Sequence, residues 1–185
     1  MNMGENRIAW GITGAGDKIN KIIEEMEKAK EDYPVNIHVF VSKAGEQVLK
    51  WYHVYKKVKE AFDRFTIERN ANTPFLAGNL QTGDYEGLLI APATSNTVAK
   101  IALSIGDTLL TNSALMALKA FVPVHIMPVD MESGEIVTEL PNGGTLRMRV
   151  REEDAQNVEK LREIDGINII EKPENIRKHI EKLIE

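Results

Sequence analysis

The sequence predicts a three-layer α/β protein, in which helices cover both faces of a parallel β-sheet and a β-hairpin is appended towards the C-terminal end. A length of 185 residues with 43% hydrophobic content suits one domain with a substantial core. Short apolar segments alternate with longer amphipathic ones, which is the pattern of repeated strand–helix–strand units. After Pro128, apolar and polar residues instead alternate one by one. We therefore treat residues 1–185 as a single domain.

Four segments are predicted to be strands because they are short, rich in β-branched residues and close to Gly, Pro or Ser. They are Ile8–Gly11, Ile37–Val41, Leu88–Ala91 and Val122–Met127. Four longer segments are predicted to be helices because their apolar residues recur at helical spacing. They are Lys18–Asp32, Gly45–Ala61, Thr97–Ile105 and Thr108–Ala120.

The segment after Pro128 is predicted to form a hairpin or flap over about residues 132–150, turning at Pro141–Gly144. Three further elements are predicted after it, the last with a Pro in its first turn. They are a short helix at Asp154–Arg162, a strand at Ile167–Ile170 and a closing helix at Pro173–Leu183.

Composition argues against several classes of function. The 23 basic and 28 acidic residues give a net charge of -5, so nucleic acid is not expected as a partner. No apolar run approaches the roughly 20 residues that span a bilayer, and the polar N-terminus does not resemble a signal peptide, so we expect a cytoplasmic protein without a membrane partner. The absence of cysteine excludes disulfides and protein-ligated iron–sulfur clusters. The four histidines lack metal-binding spacing, so no metal is expected.

The loops after the predicted strands carry the candidate binding residues, since ligands of open parallel sheets bind beyond the carboxyl ends of the strands. The first loop, Gly11–Gly16, consists of small residues that let backbone N–H groups approach an anion at a helix start. Its spacing is GxxGxG rather than the GxGxxG of dinucleotide-binding folds, and it lacks the Lys and hydroxyl residue of a P-loop. The loop predicts a phosphate site, with a tight turn that binds nothing as the alternative.

Three more loops offer polar groups. Ser42–Gly45 presents a hydroxyl and a cation where an NAD-binding domain presents a carboxylate, which favours a mononucleotide over a dinucleotide. The alternative is a helix cap at Ser42 and a solvated charge at Lys43. Pro92–Thr97 and Gly106–Thr111 place hydroxyls beside helix starts, where they could also be helix caps. Together the loops are expected to contact one flat ligand that carries a phosphate.

Four motifs, in this order and at this spacing, resemble those of the flavoprotein superfamily that includes flavin-containing cysteine decarboxylases, prenyl-transferring flavin enzymes and archaeal flavoproteins. They are Gly11–Ala15 (GITGA), Ser42–Gly45 (SKAG), Pro92–Thr97 (PATSNT) and Asp107–Thr111 (DTLLT). The third stands where the decarboxylases carry Pro-Ala-Ser-Ala-Asn-Thr. The likeness covers about the first 130 residues. It implies a flavodoxin-like or Rossmann-like fold that binds FMN, in a homo-oligomer built from trimers.

The resemblance also implies which residues bind the cofactor. Gly14, Ala15 and Ser42 would hold the phosphate of FMN. The segment Thr94–Thr97 would lie along the isoalloxazine ring and ribityl chain, with Asp107 and Thr108 nearby. The full set of expected cofactor-binding residues is Thr13, Gly14, Ala15, Gly16, Ser42, Lys43, Ala93, Thr94, Ser95, Asn96, Thr97, Asp107 and Thr108.

Two departures from the decarboxylases bear on the activity. Their active-site His would fall near Gly78, but no His stands between residues 54 and 124. Their Pro-x-Met-Asn substrate motif is replaced by Pro128-Val129-Asp130-Met131. The length and the C-terminal segment instead look like the archaeal flavoproteins thought to pass electrons from ferredoxin, and like the related dihydromethanopterin reductase.

We therefore expect an FMN-binding protein that accepts electrons from ferredoxin or a similar small iron–sulfur protein and reduces a small acceptor such as a pterin. One alternative is an FMN-dependent decarboxylase or prenyltransferase, for which His53 and His125 are the available acid–base candidates. Another is a flavin-binding module without catalysis. Trp10, Trp51, Tyr52 and Tyr55 are favoured as packing residues over ring-stacking ones.

Overall fold

A computed structural model describes residues 6–185 and confirms the three-layer α/β architecture. Its strands are β1 (Asn6–Ile12), β2 (Val35–Val41), β3 (Arg64–Ile67), β4 (Gly87–Ala93), β5 (Val124–Pro128), β6 (Gly134–Glu139), β7 (Thr145–Val150) and β8 (Ile167–Ile169). Six of them form one parallel sheet in the order β3-β2-β1-β4-β5-β8. This is a Rossmann-type order, and the direction of winding reverses between β1 and β4.

Helices pack on both faces of the sheet. They are α1 (Ile19–Asp32), α2 (Lys43–Trp51), α3 (Tyr55–Ala61), α4 (Leu76–Gln81), α5 (Ser95–Ala102), α6 (Leu109–Lys119), α7 (Glu152–Arg162) and α8 (Ile176–Ile184), the last preceded by a 3₁₀ turn at Pro173–Asn175. The core against α1, α2, α3 and α8 receives Ile8, Trp10 and Ile12 of β1, whereas Ala9 faces α4, α5, α6 and α7. No helix within residues 6–185 has both the length and the apolar character of a membrane span.

The hairpin expected after Pro128 is present as a separate antiparallel pair, β6 and β7. Ile136 lies opposite Met148, and Thr138 lies opposite Leu146. Because residues directly opposite each other point to the same side of a sheet, these four side chains share one face of the hairpin.

Some predicted boundaries differ from the structure. The helix predicted over Gly45–Ala61 is two helices, because the chain turns between Tyr52 and Val54 with His53 at φ 58. No Gly or Pro marks this turn, so the amphipathic pattern predicts one uninterrupted helix across it. The strand predicted over Val122–Met127 begins at Val124. Strand β3 and helix α4 were not predicted, since β3 is a short edge strand whose half-exposed side chains give a weak pattern.

Candidate functional site

A cavity of about 580 Å³ opens beyond the carboxyl ends of β1 and β4, where the winding of the sheet reverses. Open α/β sheets bind their ligands at such a point. We call it the polar cavity. Its lining residues are Thr13, Gly14, Ser42, Lys43, Ala44, Glu68, Asn70, Ala71, Thr94, Asn96, Thr97, Lys100, Asp107, Thr108 and Leu110.

Three helices begin at the polar cavity, and a hydroxyl caps each of them. Ser42 Oγ accepts a hydrogen bond from the N–H of Gly45 at 2.9 Å at the start of α2. Thr94 and Thr108 cap α5 and α6 in the same way. Three of the polar residues expected as ligands, Ser42, Thr94 and Thr108, are therefore helix caps that also line the cavity. The N-terminal ends of three helix dipoles meet there, which favours an anionic ligand.

Thr13 ties the first loop to the third. Its hydroxyl donates to the carbonyl oxygen of Pro92 at 2.7 Å and accepts from the backbone N–H of Thr94 at 3.0 Å. Thr13 is buried, so this hydroxyl serves the two loops rather than facing solvent. The side chain thus positions the cavity wall.

Two glycines let the first loop and α2 approach each other closely. A Cβ on Gly14 would lie 2.7 Å from the Cβ of Ala44, and one on Gly45 would lie 2.6 Å from the carbonyl oxygen of Ile12. Both distances are well below van der Waals contact between such atoms. Any side chain at these positions would therefore separate the two loops that form one wall of the polar cavity.

Glu68, which follows β3, joins two of the helix starts and was not predicted from the sequence. Its Oε2 accepts from the N–H of Lys43 at 3.2 Å, and its Oε1 accepts from the N–H of Leu109 at 2.8 Å. One carboxylate therefore satisfies N-terminal N–H groups of both α2 and α6. In the sequence, Glu68 is a single acidic residue after a strand that the pattern does not predict, so nothing local indicates its role.

The polar cavity contains charges of both signs. Lys100 Nζ pairs with Asp107 Oδ2 at 2.8 Å, and this hydrogen bond lowers the pKa of Asp107 below its ordinary value. Lys43 and Glu68 contribute one further charge of each sign. A phosphate would thus meet helix N-termini and Lys43, whereas Lys100 is already paired with Asp107.

A second cavity, of about 370 Å³, adjoins the first beneath the β6–β7 hairpin. We call it the hairpin cavity. Gly14, Thr94 and Asn96 line both cavities. The residues that line only the hairpin cavity are Ala15, Gly16, Asp17, Tyr52, Ser95, Val129, Asp130, Ile136, Thr138, Leu140 and Met148.

The structure brings twelve of the thirteen expected cofactor-binding residues to these two cavities. The polar cavity receives Thr13, Gly14, Ser42, Lys43, Thr94, Asn96, Thr97, Asp107 and Thr108. Ala15, Gly16 and Ser95 line the hairpin cavity instead. Ala93 lines neither, because it is the last residue of β4 and its side chain is fully buried in the core. Trp10 is a core residue, as expected, whereas Tyr52 reaches the hairpin cavity.

The two acid–base candidates lie elsewhere. His125 is buried in β5, and its Nδ1 lies 2.8 Å from Nδ1 of His179 on α8. Burial and the neighbouring His179 lower the pKa of His125 to about 3. His53 occupies the exposed turn between α2 and α3. Neither lines the polar cavity or the hairpin cavity, so within residues 6–185 no histidine is placed for acid–base chemistry at the candidate site.

Comparison with known proteins agrees with this architecture. A family model described as Flavoprotein matches residues 1–183. An uncharacterized protein of Methanocaldococcus jannaschii is 48% identical over 179 residues, which cover 97% of this chain and 96% of that protein. The dihydromethanopterin reductase (acceptor) of Methanosarcina mazei is 29% identical over an alignment that covers 94% of this chain and 98% of the reductase.

The structural comparison gives the same result. The crystal structure of Burkholderia xenovorans DmrB in complex with FMN, described as a cubic protein cage for redox transfer, superposes with a TM-score of 0.82. The two chains are 31% identical, and the match covers 97% of this chain and 96% of that one. Together with the family match over nearly its whole length, this shows that the chain belongs to the Flavoprotein family.

Proposed function

We propose that this protein is a single-domain cytoplasmic flavoprotein that binds FMN and passes electrons from a reduced iron–sulfur donor to a small acceptor such as a pterin. The observation that carries the proposal is the meeting of three capped helix N-termini at the polar cavity, where Gly14 and Gly45 allow the first loop to pack closely against α2. Bound FMN would supply the redox chemistry, because its ring accepts and releases two electrons.

The lining of the polar cavity fits the phosphate and ribityl parts of FMN. The helix N-termini and Lys43 offer backbone donors and a positive charge to a phosphate, as helix starts do in other nucleotide sites. The side chains of Asn96 and Thr97 offer groups that can hydrogen-bond to ribityl hydroxyls. We propose that these residues, with the other members of the expected set that line the polar cavity, hold the phosphate and ribityl chain of the cofactor.

The transfer of electrons is supported by the named relatives, which include a reductase and a cage for redox transfer. The 185 residues contain no cysteine and so cannot hold an iron–sulfur cluster through thiolates. Electrons must then reach the flavin from a separate molecule. A ferredoxin or similar small iron–sulfur protein is the donor that we propose.

A homo-oligomer, which we propose to be built from trimers, is favoured by exposed apolar side chains. Phe121 is 96% exposed and Phe75 is 70% exposed, and such side chains are more typical of interfaces than of solvated surfaces. DmrB, at 31% identity, forms a cage. Mass measurement of the purified protein tests this proposal, and a monomer at micromolar concentration would contradict it.

The first experiment asks whether FMN binds and where its phosphate lies. We expect the purified or reconstituted protein to show flavin absorbance. Lys43→Met should weaken FMN binding about tenfold, because a charge-assisted bond to phosphate is lost, but should leave riboflavin binding unchanged. Lys56→Met is the matched control, since Lys56 is exposed on α3. Failure to bind FMN, or equal loss for both flavins, would contradict the proposed site.

The second experiment asks whether the bound flavin transfers electrons. Anaerobic addition of reduced ferredoxin should bleach the flavin absorbance, and a dihydropterin should then restore it. A flavin that neither ferredoxin nor a chemical reductant reduces would favour the non-catalytic module instead. Release of carbon dioxide from a cysteinyl peptide would favour a decarboxylase.

A further inference from the structure

The hairpin cavity has largely apolar walls. On one side the ring of Tyr52 lies against Gly16, where a Cβ would come within 2.3 Å of Tyr52 Cε2. On the other side the hairpin presents Ile136, Leu140 and Met148 to the cavity. Aromatic and thioether side chains of this kind pack well against a planar ring.

The charge of the hairpin cavity differs from that of the polar cavity. Among the described residues that line it, the ionisable groups are Asp17, Tyr52 and Asp130, and none is Lys, Arg or His. Asp17 already has Lys18 at 3.7 Å. Asp130 is thus the carboxylate of this cavity that has no basic partner among the described residues. Because the carboxylate repels other anions, the cavity disfavours substrates recognised through a carboxylate or a phosphate.

Asp130 is held in a fixed position. It follows β5, where the N–H of Val129 donates to the carbonyl oxygen of Ala93 at 3.1 Å. The hydroxyl of Ser95, the first residue of α5, donates to Oδ2 of Asp130. Within the described part of the chain, Oδ1 of Asp130 makes no further hydrogen bond. The carboxylate can thus accept additional donors from a ligand.

We propose that the hairpin cavity is the acceptor site, and that Asp130 is its specificity-determining residue, accepting N–H groups from the 2-amino-4-oxopyrimidine edge of a pterin-type ring. This inference rests on the proposed function. An amino group and a ring N–H lie side by side on that edge and match the two oxygens of a carboxylate. Gly14, Thr94 and Asn96 separate this site from the polar cavity, so acceptor and flavin would be neighbours, as electron transfer by direct contact requires.

The experiment measures binding rather than turnover. The FMN-saturated oxidised protein is titrated with pterin and with lumazine, which carries an oxygen in place of the 2-amino group, at neutral pH by calorimetry. We expect pterin to bind at least about tenfold more tightly, because a site built to accept an N–H rejects an analogue that lacks it. Equal affinity for the two ligands, or no binding of pterin, would overturn the proposal.

Three variants test whether the carboxylate of Asp130 causes the preference for pterin over lumazine. Asp130→Asn, of nearly equal size, should lose about tenfold in pterin affinity and abolish the preference over lumazine. Ser95→Ala should give an intermediate loss, since it removes the group that orients Asp130. Glu132→Gln is the matched control, because it removes the same charge two residues away on an exposed side chain outside the cavity lining. An Asp130→Asn protein that keeps the wild-type preference would overturn the assignment.

Measuring FMN content first separates this proposal from the proposed function. If neither the wild-type protein nor any of the variants binds FMN, the proposed function is wrong. If all of them bind FMN but pterin preference does not depend on Asp130, only the acceptor site proposed here fails. Retained FMN also shows that each variant has folded, so a loss of pterin binding then reports on the hairpin cavity.

Discussion

At the scale of single residues, the site depends on side chains whose polar groups hold loops together. Thr13 joins the first and third loops, and Glu68 joins the starts of α2 and α6. Neither interaction resembles a ligand contact, yet both decide where the cavity walls lie. The hydrogen bonds of Thr13 are buried or partly buried, and such bonds are costly to break because the partner that remains loses its hydration without compensation.

Replacing Thr13 tests the link between the first and third loops. Thr13→Val keeps the shape of the side chain but leaves the N–H of Thr94 without its acceptor. We expect the free energy of unfolding to fall by about 1–3 kcal/mol in urea denaturation. Thr82→Val, at an exposed helix end, should change it by less than about 0.5 kcal/mol. Equal stability of the two variants would show that the link contributes little.

Replacing Glu68 tests the bridge between two helix starts. In Glu68→Gln, one oxygen becomes an amide donor that faces a backbone N–H of α2 or α6. We expect unfolding free energy to fall by about 1–3 kcal/mol, with weaker FMN retention on gel filtration. Glu60→Gln on α3 is the control, because Glu60 makes only an exposed ion pair. Unchanged FMN retention would mean that the helix starts hold their positions without Glu68.

At the scale of elements, the site is made by the starts of helices and by one hairpin. Helices α2, α5 and α6 each direct their N-terminal end at the polar cavity. The turn after α2 brings Tyr52 to the hairpin cavity, although the sequence pattern had predicted an unbroken helix there. The β6–β7 hairpin supplies an apolar face that the sheet itself could not provide.

The contact between the first loop and α2 can be tested with one added methyl group. Gly14→Ala would place a Cβ 2.7 Å from that of Ala44, so the loop and the helix must separate. We expect a stability loss of about 1–3 kcal/mol, as for overpacked sites, and a marked loss of FMN affinity by flavin titration. Gly144→Ala at the hairpin tip would meet chiefly the side chain of Asn142 and should leave FMN affinity unchanged.

At the scale of the whole molecule, α8 closes the fold onto α1 and β5. Arg177 of α8 lies 3.3 Å from the buried carboxylate of Glu25 on α1, and His179 of α8 meets His125 of β5. Burial lowers the pKa of both histidines, with further lowering from the nearby charge of Lys182. Protonation of these histidines at low pH is therefore expected to weaken the packing of α8 against β5.

The His125–His179 contact predicts how stability depends on pH. The pKa of folded His125 is about 3, below its ordinary value of 6.5, so the unfolded state binds more protons between these values. Neutral His125 therefore contributes fully to the free energy of unfolding above about pH 6.5. As the pH falls below this value, the contribution decreases by up to about 1.4 kcal/mol per pH unit.

Urea denaturation between pH 7 and pH 5 measures this effect. The double variant His125→Leu/His179→Leu should flatten the dependence, leaving the part due to His38, whose pKa burial also lowers. The carboxylates with lowered pKa, such as Glu25, lose their contribution only at lower pH, because their ordinary values are near 4.5. His53→Asn, in the exposed turn, is the control. An undiminished slope in the double variant would contradict the assignment.

Much of the fold could be predicted because its signals are local. Each predicted strand has a counterpart in the sheet, and the hairpin after Pro128 lies where the alternation indicated. Strand β3 was missed because an edge strand buries little and leaves little periodicity. The turn at His53 was missed because its left-handed backbone conformation is not marked by a Gly.

The fold class and four of the loops that form the cavities can be predicted from the amino-acid sequence, because strand periodicity, small residues and helix caps are encoded within a few neighbouring positions. The sequence also indicated the flavoprotein family through motifs at those loops. The packing of distant segments explains the rest: the candidate residues divide between two cavities, Glu68 bridges two helices, and Asp130 shares a cavity with an apolar hairpin. These features bring together residues from distant parts of the chain, so no local sequence pattern predicts them.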